Sequence, residues 1–294
     1  MISLSDYHLR PEERSAIDGL LQRVGINPTL EQLWDLMDQV WDEYACDARH
    51  PDPHKLAAFY SDPIWLLNGM FIEQHELSMH HRNAIAAAVA NFRPQQVLDF
   101  GGGFGTLARL LAAELPQSQI LICEPYPPRH GIEACLSFEN IKYVPDLSNQ
   151  IVDVLVTTDV LEHVPDPLTL LAAMVSAVRP GGYLFFANCF YPVIKCHLPC
   201  TFHLRYTFDA FCSALGLELV GPCHGTHCTI YRRSLLMSPD LDRLRAMERR
   251  SKQLYPFRQW RVNHISPWIH RAKRALTDPS HYPRLLLAAL RPQR

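Results

Sequence analysis

VLDFGGGFGTLARLLA, residues 97–112, is the stretch on which the fold of this 294-residue chain turns. A short apolar strand carries Asp99 near its end and runs into Gly101, Gly102, Gly103 and Gly105, after which a helix starts at once. Glycines at a strand-to-helix turn let the backbone approach a ligand closely, because no Cβ stands in the way. The helix start then aims unpaired N–H groups at that ligand.

Downstream the pattern alternates strand and helix, the mark of a parallel sheet covered by helices on its faces. The strands read QVLDF, QILICE ending at Glu124, IKYV leading to Asp146, VDVLVTTD ending at Asp159, YLFFANCF, and the hairpin LELVG–CTIYRR. Between them, Leu107, Leu110, Leu111 and Leu115 make one helical face. Asp166 stands as N-cap before Pro167. Pro180-Gly181-Gly182 breaks that second helix, and Thr207 is placed to cap another. Upstream, residues 1–93 read as helical, with apolar patches at Leu20, Leu21 and Val24, at Leu30–Trp41, and at Ile85, Ala88, Val89 and Phe92. Residues 234–294 are rich in arginine, with Tyr255, Trp260 and Trp268 among the bases and prolines that cut the segment into short pieces. The expected organisation is a helical N-terminal cap (1–93), a ligand-binding α/β domain (94–233) and a basic helical extension (234–294).

Charge is unevenly spread although the net is only −2. Residues 1–92 hold 14 acids and 6 bases, whereas 232–294 hold 4 acids and 15 bases. The start, MISLSDYHLRPEER, has no apolar core of a signal peptide, and no uncharged apolar run nears the length that spans a bilayer. Nine cysteines, an odd number, read as reduced thiols, which points to the cytoplasm.

A dinucleotide loop reads GxGxxG; here the glycines at 101, 103 and 105 read GxGxG, so the third falls one position early for a pyrophosphate. The arrangement suits a ligand with a small zwitterionic end over the turn. Glu124, 19 residues after Gly105, can accept from both hydroxyls of a ribose. Asp146, just past the third strand, can accept from an adenine amino group.

Taken together, VLDFGGGFG, CEPY, DVLEHVPDP and VRPGGYLFF resemble the class I S-adenosylmethionine-dependent methyltransferases, over residues 96–232 and in that family's order. The resemblance implies an α/β, Rossmann-like, seven-stranded, mainly parallel sheet sandwiched by helices, its last strand antiparallel and inserted near one edge. It also implies that Asp99, Gly101, Gly103 and Gly105 hold the methionine end of S-adenosylmethionine, Glu124 the ribose and Asp146 the adenine, with Asp159 beside the cofactor.

The sulfonium already activates the methyl group, so the protein has mainly to align an acceptor and exclude water. A hydroxyl acceptor must also lose a proton. Asp159, Glu162 and His163 lie at or just past a strand end on the cofactor side, and His203 follows the fifth strand. This segment resembles the ubiquinone-pathway O-methyltransferases and, with the downstream histidine, the small-RNA 3′-end 2′-O-methyltransferases. Glu162, His163 and His203 form a candidate set for a divalent metal that would polarise a hydroxyl oxygen. His163 or His203 acting as general base, and simple packing, are the competing roles. Cys196, His197, Cys200 and His203, with Cys223, His224, His227 and Cys228, offer a second ligand set by number, though not by the usual zinc spacing. Tyr60, Trp65, Met70, Phe71 and His75 are candidate acceptor contacts from the cap.

The expected function is transfer of a methyl group to a hydroxyl on a small organic or lipid-linked metabolite. The competing readings are a metal-independent N- or C-methyltransferase and a non-catalytic S-adenosylmethionine-binding scaffold. No nucleic-acid-binding module is evident. The basic extension suits a membrane surface or an acidic partner, including the chain's own acidic N-terminal region.

Overall fold

The computed structural model of the chain describes residues 2–4, 7–234 and 240–265. These fall in two compact units, divided between Arg245 and Ala246.

The first unit opens with five helices: α1 (Pro11–Val24), α2 (Leu30–Glu43), α3 (Pro53–Tyr60), α4 (Pro63–Gln74) and α5 (Glu76–Ala90). Local chemistry sets where they begin. Thr29 and Gln32 form a capping box on α2. Asp-Pro steps open α3 and α4, with the carboxylates of Asp52 and Asp62 accepting from the first free N–H groups and proline occupying the position that needs none. Three apolar patches thus become five helices, because these two aspartates start extra short ones. The first four share a core in which Ile17, Leu33, Leu36, Phe59, Ile64, Leu67 and Met70 are fully buried.

The strands are β1 (Gln96–Phe100), β2 (Gln119–Cys123), β3 (Ile141–Val144), β4 (Val152–Thr158), β5 (Val178–Ala187), β6 (Leu217–Pro222) and β7 (Thr229–Arg233). They form one sheet in the order β3-β2-β1-β4-β5-β7-β6. Pairings are parallel from β3 to β5, and β7 runs antiparallel to both neighbours. The helices between are α6 (Thr106–Glu114), α7 (Arg129–Cys135), α8 (Pro167–Ser176) and α9 (Phe208–Ala214). Val97, Ile120, Val154 and Phe185 pack under α5 and α6. Leu98, Leu121, Leu155 and Leu184 alternate to the other face and are equally buried. Both faces are therefore covered, and the central strands read as continuous apolar runs for that reason.

Several details depart from expectation. Pro180-Gly181-Gly182 does not stand between helix and strand: it lies within β5, where the register with β4 shifts between Val152 and Val154. α5 packs into the sheet's own core, so the hydrophobic core does not divide at residue 93. Thr207 precedes α9, but its hydroxyl donates back to the His203 carbonyl and caps nothing ahead. Asp166 does cap α8, accepting from the Thr169 N–H.

The helix α10 (Leu241–His264) begins in the first unit, where Leu244 is buried and Arg245 pairs with Asp166. In the second unit it runs through Pro256 instead of ending there, so it forgoes the bond to the Lys252 carbonyl. Phe257 and Trp260 stack at 6.2 Å and are exposed. Trp268 and the later prolines lie outside the described residues. Among the described residues no helix is long and apolar enough to cross a membrane.

Candidate active site

The carboxyl ends of β1, β2 and β4 meet at one edge of the sheet, where ligands of open α/β sheets bind. Gly101, Gly103 and Gly105 all take positive φ, at 72°, 50° and 73°. Gly101 donates to the Cys123 carbonyl at 2.8 Å, locking the loop to β2. A Cβ on Gly101 would stand 2.3 Å from Val160, so only glycine fits there. Gly103 differs: apart from the Gly101 carbonyl at 3.9 Å, a Cβ there would meet open space. Its N–H donates to Glu124 Oε2 at 2.9 Å, while the Tyr126 N–H donates to Oε1 at 2.9 Å. Each Glu124 oxygen is thus fixed by one backbone donor and keeps a further lone pair for a ligand hydroxyl.

Asp99 is 1% exposed, and its Oδ2 has no hydrogen-bond partner among the described residues. Burial pushes its carboxyl up to about 7, against the pull of the Arg82 guanidinium. An unsatisfied buried oxygen costs about 1–3 kcal/mol, and a cationic ligand group would remove that cost. Asp146 lies at the end of β3, exposed, with one oxygen accepting from the Ser148 N–H of its own turn at 2.7 Å. Asp159 follows β4 with φ 53° and accepts from His227 Nε2 at 3.2 Å. Burial raises its carboxyl, but the bond to His227 and the charges of His227, Arg82 and His163 together hold it below the usual carboxylate range.

Sequence alone gives no sign that the N-terminal helices brace this loop. Phe104, at the loop tip, sits over Gly69 of α4, where a Cβ would stand 2.5 Å from its ring. Glu73 accepts from Thr106 Oγ1 at 2.9 Å and pairs with Arg109, joining α4 to α6. Arg82 of α5 is a further unforeseen charge acting on both Asp99 and Asp159.

Past β4, Leu161–His163 form a single 3-10 turn. Glu162 is fully buried: Oε1 accepts from the Cys189 N–H at 2.6 Å, and Oε2 has no partner among the described residues. Burial, with the Asp159 charge, pushes its carboxyl up to about 8. His163 Nδ1 faces the Cys196 carbonyl at 3.1 Å, and burial holds the ring neutral, with its pKa down at about 3. A base that weak is poorly matched to proton abstraction near neutral pH. A neutral imidazole suits metal ligation.

The third member of this corner is His197, not His203. One ligand atom each from Glu162, His163 and His197 lies within 4.8 Å of the others. The rings of His163 and His197 meet at 4.8 Å and 81°. His197 Nδ1 faces the Tyr191 carbonyl at 2.7 Å. Carbonyls therefore fix the δ nitrogens of both rings and leave the ε nitrogens as acceptors, the outer support typical of metal-binding histidines. Donors around a tetrahedral ion at about 2.1 Å stand about 3.4 Å apart, so the widest pair of this set, within 4.8 Å, must draw in by up to about 1.4 Å to hold one. His203 goes elsewhere because residues 199–206 wind into a 3-10 helix, which turns its ring into the core against Phe211 at 6.0 Å. Among the described residues the cysteine-histidine set is not gathered into a ligand group. Cys196 is buried beneath the cap, and Cys223 and Cys228 pair their backbones at 2.8 Å in the β6–β7 hairpin.

Of the cap residues, Tyr60 and Trp65 reach this corner, with rings 6.2 and 6.3 Å from that of His163. Met70 and Phe71 are spent in the cap core, and His75 stacks on Phe71. His197 also lines a groove of about 450 Å³ with Trp41, Ile194, Pro199 and Phe202, within the size range of small-molecule sites.

The fold and the site edge are those of a methyltransferase domain. Residues 73–236, more than half of the chain, match the family described as "Methyltransferase domain", and the chain belongs to that family. It is 28% identical over 156 residues to a ubiquinone biosynthesis O-methyltransferase of Serratia proteamaculans (strain 568), which covers 50% of this chain and 65% of that protein. It is 30% identical over 147 residues to the protein of the same description from Shewanella sp. (strain ANA-3), covering 47% and 62%. The chain thus spans somewhat less than two thirds of the curated relatives it matches. It is also similar to the structure of human N-acetylserotonin methyltransferase in complex with SAM, with a TM-score of 0.49, 16% identity and coverage of 79% and 74%.

Proposed function

We propose that this chain is an S-adenosylmethionine-dependent methyltransferase that O-methylates a small organic or lipid-linked metabolite. The observation that carries the reading is the pairing of Gly103 with Glu124: one residue leaves open space beside the loop, and the other is locked by backbone donors at its rim. Asp99 with its unsatisfied Oδ2 would hold the amino group of the methionine end, Glu124 the ribose hydroxyls and Asp146 the adenine. The bound donor supplies a methyl group already activated by its sulfonium. The protein's share is to brace the loop through Phe104 and Glu73, to align the acceptor and to exclude water.

The similarity to ubiquinone biosynthesis O-methyltransferases favours oxygen over nitrogen or carbon as the acceptor atom. Glu162, His163 and His197 support a divalent metal at the acceptor side, which would lower the pKa of a hydroxyl there. The Asp159 charge acts on Glu162 and His163 of this corner. Nine free thiols support a cytoplasmic setting. The exposed Phe257 and Trp260, among the bases of α10, support contact of the extension with an anionic surface or an acidic partner.

The test is methyl transfer from isotope-labelled S-adenosylmethionine to a panel of hydroxyl and amine acceptors, with and without chelator. Labelled ethers are the expected product. Labelled amines alone would overturn the O-methylation reading, and undiminished ether formation in chelator would remove the metal.

A further inference from the structure

The helix α10 carries a face for which methyl transfer has no use. Its residues 246–264 hold five bases, Arg249, Arg250, Lys252, Arg258 and Arg261, and a single acid, Glu248. In sequence, residues 266–294 add six bases and one acid. At 3.6 residues per turn, Arg250, Leu254, Phe257 and Arg261 fall within about 60° of one another, and Trp260 and His264 widen that face by about as much again. The large apolar side chains on it are left outside any core: Leu254, Phe257 and Trp260 are 37%, 60% and 49% exposed. Nor are they scattered singly. Trp260 stacks on Phe257 at 6.2 Å and on His264 at 5.4 Å, so three rings run in file along the helix. Glu248 lies on the opposite side, where it is buried and pairs with Lys252 at 2.7 Å. Within residues 246–264 the exposed face therefore joins apolar groups to cations and includes no acid.

We propose that this face of α10 docks on the surface of an anionic phospholipid bilayer, with Leu254, Phe257 and Trp260 in the boundary between headgroups and acyl chains and Arg250 and Arg261 on the lipid phosphates. A helix of this kind lies in the plane of the interface; it is not apolar enough to cross the bilayer. Arginine suits the place, because its fork pairs with phosphate oxygens while its stem lies along apolar surface. Tryptophan suits it too, having an apolar ring and one N–H for a headgroup oxygen. Two other anionic partners fit less well. A single-stranded nucleic acid would engage the arginines but stacks its bases on open aromatic faces, and Trp260 already has a ring on either side. An acidic polypeptide would answer the cations and leave the three apolar side chains unaccounted for. The proposal names one partner for the contact of the extension given above. It stands on α10 alone and does not rest on methyl transfer.

The test is co-sedimentation of the full chain with vesicles of phosphatidylcholine, alone or mixed with about one quarter phosphatidylglycerol, at about 0.1 M and about 0.5 M salt. The wild type is expected to bind the anionic vesicles at least about tenfold more tightly than the neutral ones, and more weakly at the higher salt. The double variant Phe257→Ser, Trp260→Ser should lose about tenfold or more on anionic vesicles. Arg250→Gln with Arg261→Gln should lose about as much, together with most of the salt dependence. All four side chains are exposed, so these variants leave the core as it is. Equal binding to neutral and anionic vesicles, binding untouched by the loss of both rings, or no binding to either overturns the proposal. So does a higher affinity for single-stranded RNA or for polyglutamate than for the anionic vesicles. Titration with S-adenosylhomocysteine is run beside it. A chain that binds vesicles but not S-adenosylhomocysteine keeps this inference and loses the methyl-transfer reading; the reverse result removes this inference alone.

Discussion

Replacing Asp99 by asparagine keeps the shape of the side chain at the loop and removes its charge. The wild-type carboxyl, buried and pushed up to about 7, is largely protonated in the empty loop below neutrality. A ligand ammonium group binds the ionised form. With a pKa of about 7, the ionised fraction is about one tenth at pH 6 and about three quarters at pH 7.5. Affinity for S-adenosylhomocysteine should therefore rise about eightfold across that interval, with release of a proton on binding at the acid end. The sign for stability is opposite. Between about pH 4 and 7 the folded chain holds a proton that the unfolded chain has lost, so this group makes stability fall as pH rises, levelling off above 7. From pH 5 to pH 8 the loss is on the order of 2.5 kcal/mol, at 1.36 kcal/mol per pKa unit. Asp99→Asn should bind weakly at both pH values, with no slope, and should lack this loss in urea unfolding. Isothermal titration at pH 6 and 7.5, paired with urea melts at pH 5 and 8, reads both. A wild-type affinity flat in pH, or an equal slope in Asp99→Asn, refutes the assignment of Asp99 to the cationic end of the donor.

Three further outcomes follow from the same geometry. Gly103→Ala places a Cβ where the protein leaves open space, at a φ of 50° that costs an L-residue about 1–2 kcal/mol; donor affinity should fall at least tenfold while the chain stays folded, and unchanged affinity would mean the loop faces no ligand. His197→Ala should abolish saturable binding of Mn²⁺ or Zn²⁺ in calorimetry, whereas His203→Ala should leave it, since His203 lies against Phe211 away from Glu162; the reverse pattern would reinstate His203. Glu73→Gln weakens the tie between α4 and α6, so hydrogen exchange at Thr106–Arg109 should quicken by about tenfold or more, and unchanged exchange would show that the cap does not brace the loop.

The part of the molecule legible in the sequence is the part fixed by local rules. Alternating apolar runs, glycines that must take positive φ, and the Asp166-Pro167 helix start each act within a few residues. They place β1 to β7, the Asp99–Gly105 loop and Glu124 at the rim. Pro180-Gly181-Gly182 misleads because a bulged parallel strand absorbs a turn-like sequence through its pairing with β4, which is not local. His197 and His203 are six residues apart and equally plausible as ligands until the 3-10 helix at 199–206 turns one away. Tyr60 and Trp65 cannot be told from Met70 and Phe71 by spacing, since all four sit in apolar helices. Only the packing of Phe59 shows which pair faces His163. The role of α5 is likewise decided by tertiary packing on α6 and β1.

The central claim is that the loop and Glu124 bind the adenosyl methyl donor. Its most direct test is titration of wild type and Glu124→Ala with S-adenosylhomocysteine. The wild type is expected to bind, and the variant to lose about 1.5–3 kcal/mol for each charge-assisted bond to the ribose, or at least tenfold in affinity. Equal affinity in the two proteins, or no binding by the wild type, would contradict the account.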